Sequence, residues 1–121
     1  MQISEAESAV MEVLWRSRVP LTSEEVVAAL AATHDWQEPT IKTLLNRLLN
    51  KNAVSAEREG RRYRYLPVLK REDWLNDESG NLLDRLFGGR VAPLVVHFSE
   101  QRKLSEQDIA ELRKLIEELD A

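Results

Sequence analysis

The 121 residues are enough for one compact domain, or for a small domain plus an oligomerisation segment. With no cysteine there is no disulfide framework, thiolate metal site or cysteine nucleophile, and the isolated His34 and His97 make no ligand cluster. The net charge of −4 is uneven: residues 38–66 carry seven basic and three acidic side chains, residues 68–121 eight basic and twelve acidic.

Because salt screens a field within about 10 Å, the positive middle segment can meet a polyanion despite the negative total. No apolar run approaches the ~20 residues that span a bilayer. The start, MQISEAESAV, has neither a basic nor an apolar signal region. A cytoplasmic protein without membrane insertion, metal or cofactor is expected.

Ser4 and Glu7 form a capping-box pattern, followed by Ala6, Ala9, Val10, Val13 and Leu14 on one face, with Met11 and Trp15 flanking it. This predicts a first core helix from Ser4 to about Ser17. Val19-Pro20 interrupts it. Thr22 and Glu25 repeat the box before a shorter helix with Val26, Val27 and Leu30 on its stripe. Thr33 to Glu38 reads as a turn in which Trp36 plugs the core.

Pro39 to Lys51, PTIKTLLNRLLNK, is a third helix, with Pro39 early enough that its missing N–H costs nothing. Ile41, Leu44, Leu45, Leu48 and Leu49 form its stripe. Thr43, Asn46, Arg47 and Asn50 point away, with Thr40 and Lys42 on the flanks. That face has hydroxyls, amides and cations but no carboxylate. It suits either plain solvent or the phosphates and base edges of a major groove.

Val54–Arg58 and Arg62–Leu66 then alternate as two short strands around Glu59-Gly60-Arg61, where Gly60 can take the positive φ of a tight hairpin. Three helices and a hairpin in under seventy residues have the order of a winged helix-turn-helix domain, in which the third helix enters the major groove. Lys42 and Arg47 would meet phosphates or a guanine edge, and Arg61, Arg62 and Arg64 would serve as wing cations.

Beyond Pro67 the pattern changes. Arg71 to Phe87 reads as a helix carrying Trp74, Leu75, Leu82, Leu83, Leu86 and Phe87, and Gly88-Gly89 breaks it. Val91 to Phe98 is a short apolar element. Ser105 and Asp108 cap a last helix with Ile109, Leu112, Leu115, Ile116 and Leu119. Such helices lack a core of their own, so a twofold homodimer is the simplest way to cover them. The fold class expected is mainly α with a small β-hairpin: a winged helix-turn-helix domain (1–68) followed by a helical dimerisation domain (69–121).

No catalytic constellation or glycine-rich nucleotide loop is present, so no enzyme is expected. The alternative to a DNA-binding protein is a winged-helix protein-interaction module whose arginines meet an acidic partner.

ISEAESAVMEVLW, PTIKTLLNRLLNK, GRRYRYLP, LLDRLFGG and LSEQDIAELRKLI, in this order and spacing, resemble the penicillinase-repressor family, the BlaI/MecI/CopY group of bacterial winged-helix repressors. The similarity runs over essentially the whole chain. It implies a homodimer that binds a palindromic double-stranded DNA operator and blocks transcription. By position it implies DNA contacts from Thr40, Lys42, Thr43, Asn46 and Arg47, and from Arg61, Arg62 and Tyr63 in the wing. It implies a dimer interface from Leu82, Leu86, Val91, Leu94, Val95, Phe98, Ile109, Leu112 and Ile116. In the β-lactam-responsive branch a membrane sensor metalloprotease leads to cleavage of an Asn-Phe bond. The corresponding bond here is His97-Phe98, with His in place of Asn, and the plainer reading of His97 is a dimer-interface side chain. The cysteine motifs of the copper-responsive branch are missing.

Overall fold

The computed structural model describes residues Met1–Ala121. Its elements are α1 (Glu5–Arg16), α2 (Ser23–Leu30), α3 (Glu38–Asn50), β1 (Val54–Glu59), β2 (Arg62–Pro67), α4 (Arg71–Phe87), α5 (Val91–Glu100) and α6 (Glu106–Asp120). Three helix starts follow from local chemistry. Ser4 Oγ accepts from Glu7 N–H while Glu7 accepts from Ser4 N–H, and Thr22/Glu25 and Ser105/Asp108 repeat the exchange. Each box satisfies two of the amide donors that a helix start leaves unpaired. Helix α3 begins at Glu38, one residue before Pro39, and its N-cap Gln37 makes no side-chain cap bond.

The chain forms two compact units, Met1–Asp77 and Glu78–Ala121, divided within α4. In the first, α1, α2 and α3 meet over Val10, Met11, Leu14, Val26, Ile41, Leu45 and Leu48, all essentially inaccessible to water. Met11 is therefore central to the core, whereas the pattern placed it on a flank; Ala6 and Ala9 are half-buried. Leu49, counted in the α3 stripe, is also half-buried, because it lies at the edge of the packed face. Trp36 packs on the core from its rim, with its ring 4.1 Å from that of His34.

Helix α3 ends in a Schellman motif. Asn52 takes φ +60, its N–H donates to Leu49 O, and Ala53 N–H donates to Leu48 O at 2.9 Å. The reversal sends the chain directly into β1. The hairpin registers Arg58 with Tyr63 and Glu59 with Arg62, leaving a two-residue loop. Gly60 opens that loop at φ +63, as a type II′ turn requires. Leu21 pairs with Tyr65 through both backbone bonds, N–H to O 3.0 Å and O to N–H 2.7 Å, and so pins the α1–α2 connection to β2 by a single bridge. This bridge in the α1–α2 connection carries no alternation by which the sequence would reveal it.

The start of α4 belongs to the first unit. Trp74 stacks near Trp15 with centroids 5.4 Å apart, Trp15 Nε1 donates to Leu69 O at 2.8 Å, and Arg71 pairs with Glu12 at 2.8 Å. The second unit comprises the rest of α4, α5 and α6. Not one of its residues is buried.

Candidate nucleic-acid interface

The α3 leucines face α1 and α2, so helix geometry alone turns the intervening residues outward. Thr40, Lys42, Thr43, Asn46 and Arg47 are all exposed, and so are Arg61, Arg62 and Tyr63 at the hairpin. The wing is aimed by pairing and packing: Tyr65 is buried in the core, while Tyr63, two residues nearer the tip on the same face, is 48% exposed. Between the start of α2, the first turns of α3 and the wing lies a groove of ≈ 200 Å³. Lys42, Arg61 and Arg62 line it opposite Glu24 and Glu38.

The cations differ in how they are held. Arg47 and Arg61 have neither an ion pair nor a side-chain hydrogen bond within the chain, so both are free to meet an anion. Lys42 pairs with Glu38 at 3.2 Å, one turn back on α3. Arg62 lies 3.9 Å from Glu24. Arg58 donates from Nε to Gly60 O at 3.0 Å, with its guanidinium 6.0 Å from the Tyr63 ring centre. Thr43 Oγ1 is turned back onto Pro39 O at 3.0 Å, leaving its oxygen lone pairs and methyl outward.

Two cations counted in the positive segment are structural. Lys51 donates from Nζ to Glu7 Oε1 at 2.7 Å and to Gln2 O at 2.9 Å, tying the end of α3 to the start of α1. It is spent inside the fold. Arg64, expected as a wing cation, pairs with Glu59 and, at 3.1 Å, with Glu25, and reaches Pro20 O. These partners hold its guanidinium firmly protonated, Glu59 first. It braces the wing against α2.

Two carboxylates here, Glu38 and Glu25, are held in their charged form by their neighbours. The hydrogen bond from Lys42, then that from Ser23, holds Glu38 below its ordinary range. The Thr22 N–H and hydroxyl, followed by Arg64, do the same for Glu25. Periodicity places Glu38 in the turn before α3 and does not mark it as part of this surface. Its spacing to Lys42, i to i+4, was the available signal.

In the second unit, the residues expected at a dimer interface divide by exposure. Leu82, Leu86, Val91, Phe98, Ile109 and Ile116 are exposed; Leu94, Val95 and Leu112 are half-buried, Val95 and Leu112 on a common apolar groove. His97 lies 6.0 Å from Phe87 and 5.4 Å from Phe98, ring to ring, in the last turns of α5. Gln101, Arg102 and Lys103 fold back over that end, with Lys103 N–H donating to Phe98 O at 2.8 Å.

Three packed helices, a reversal and a hairpin braced by a bridge from the α1–α2 connection define a winged helix-turn-helix protein. The chain belongs to the penicillinase repressor family, whose model matches residues 3–118. A penicillinase repressor of Bacillus licheniformis is 36% identical over 117 residues, spanning 97% of this chain and 91% of its own. The solution structure of the DNA-binding domain of the repressor BlaI is 39% identical with a TM-score of 0.54, covering 60% of this chain and 87% of that one. The monomeric form of Bacillus licheniformis BlaI, solved in complex with the blaP half-operator, is 38% identical with a TM-score of 0.51 and covers 60% of this chain and 88% of its own.

Proposed function

We propose that this transcriptional repressor binds a palindromic DNA operator as a homodimer, α3 reading the major groove and the wing following the adjacent backbone. The observation that carries this is the outward face of α3 beside the wing, where Arg47 and Arg61 are exposed and unpaired. Arg47, with Thr40, Lys42 and Asn46, faces the base edges; Arg61, with Thr43, Arg62 and Tyr63, holds the phosphates and sets the register. The relative solved on a half-operator supports the DNA partner. No helix is long and apolar enough to cross a membrane.

The second unit supplies the twofold contact. Its nine exposed large apolar side chains have nothing of their own chain to cover them, and a second copy covers them without a new surface. Linking two half-sites raises operator affinity without any further base contact. Repression is then relieved by whatever loosens the C-terminal helices, and proteolysis at His97-Phe98 after a membrane sensor metalloprotease responds to β-lactam or cell-wall stress is one such route.

Fluorescence anisotropy on an operator selected from a random duplex pool tests the reading at several salt concentrations. Arg61→Ala is expected to weaken cognate and random DNA alike and to reduce the salt slope by about 1. Arg47→Ala is expected to lose about 1–3 kcal/mol on the operator and to relax preference at one base position. Absence of salt-dependent binding by the unaltered protein overturns the DNA reading in favour of a protein-interaction module.

A further inference from the structure

Glu38 is a carboxylate at the first turn of the helix assigned to read DNA. Both its partners, Lys42 Nζ at 3.2 Å and Ser23 Oγ at 3.1 Å, bind the same oxygen, Oε1. The other oxygen has no protein partner, and the side chain is 39% exposed into the groove between α2, α3 and the wing. The Ser23 bond matters: it comes from a different helix and tethers the carboxylate to α2, which opposes its swinging away as a polyanion approaches. Glu24 stands on the same groove beside Arg62. Of the three cations lining the groove, only Arg61 is therefore without a carboxylate neighbour.

We infer that Glu38 is a specificity-determining residue of a negative kind, a fixed counter-charge that limits sequence-independent binding by holding Lys42 away from phosphates. The inference rests on the DNA-binding reading above. A phosphate that takes Lys42 must displace it from Glu38 and then sit beside the remaining carboxylate. Non-specific binding consists almost wholly of such phosphate contacts, so this opposition falls on the whole of its driving force. An operator complex also has base contacts from Arg47, Asn46 and Thr40, which lie outside the Glu38 pair. The result is a repressor that releases random DNA readily and dwells where α3 finds its bases.

Glu38→Gln tests this in the full chain, since the amide keeps an oxygen for Ser23 and removes the charge. Expected is about threefold to tenfold tighter binding to a random duplex at low salt, with a salt slope steeper by about 1 as Lys42 releases a further counterion. In the background of Lys42→Gln the same change should bring no gain, because the cation it frees is gone. Unchanged random-duplex affinity and slope in Glu38→Gln overturn the inference, as does a gain that persists without Lys42. If the unaltered protein itself shows no salt-dependent binding, it is the DNA-binding reading that fails, and the two failures are thus told apart. An unchanged melting temperature for Glu38→Gln excludes an indirect effect through folding.

Discussion

Glu7 shows how one residue can serve two ends. It completes the capping box of α1 and receives Lys51 from the far end of α3, and it is only 2% exposed. Burial pushes its carboxyl up, but the Lys51 hydrogen bond and the Ser4 contacts together outweigh this and leave it below its ordinary 4.5. A depressed folded value binds protons less readily than the unfolded chain does, so its contribution is complete above pH 4.5 and is lost as pH falls through the folded value. Glu7→Gln should therefore lower stability at pH 7, by about 1–3 kcal/mol, because it removes the negative charge from a buried acceptor of the Lys51 ammonium. The loss should shrink towards pH 3, and urea melts at pH 7, 5 and 3 check this. The box was legible from Ser4 and Glu7 alone, three positions apart. The Lys51 partner, 44 residues away, was not, since nothing local marks a lysine at a helix end as internal. Asn52 is similar: φ +60 is a conformation asparagine tolerates better than alanine. Asn52→Ala should lose about 1 kcal/mol and Asn52→Gly should lose nothing, by the same melts.

At the scale of elements, Trp15 and Trp74 join α1 to the start of α4. Their rings are neighbours, yet their indole N–H groups differ. Trp15 Nε1 reaches Leu69 O at 2.8 Å, whereas Trp74 Nε1 is buried without a partner. Trp15→Phe removes a bond and strands a carbonyl, and should cost about 1–2 kcal/mol more than Trp74→Phe, which loses ring area but relieves an unsatisfied donor. Thermal unfolding of the two variants side by side decides it. Helix α4 was legible as a helix from its apolar spacing. That its first turns pack with α1, carrying the first unit on to Asp77, was not, because a periodicity reports which face is apolar and not what the face meets. The hairpin was legible from Gly60 and the alternation on either side of it. The Leu21 bridge was not, since one residue has no period.

For the whole molecule, the contrast between the units is the main finding. The first buries a continuous core; the second exposes Leu86, Val91, Ile116 and Leu119, each by more than half. Helices in that state stabilise poorly alone, and a second copy is the cover proposed. Ile116→Asp should then shift the protein from dimer to monomer in sedimentation equilibrium while the melting of the first unit stays in place. Operator affinity should fall by tenfold or more as the second half-site becomes a separate binding event.

Helix starts, the core stripes, the hairpin and the outward face of α3 were determined by the sequence itself, because capping, periodicity and turn chemistry act within a few residues. Which cations remain free was decided by tertiary structure. Lys51, Arg62 and Arg64 look alike in the chain, and the fold brings Glu7, Glu24, Glu25 and Glu59 to them, whereas Lys42 meets Glu38 one turn back on its own helix. Arg47 and Arg61 are left over, and Arg58 is held only by the Gly60 carbonyl and the Tyr63 ring. Charge counts add along a chain, but a charge is available or spent according to what lies within 4 Å of it, and that distance is set by packing.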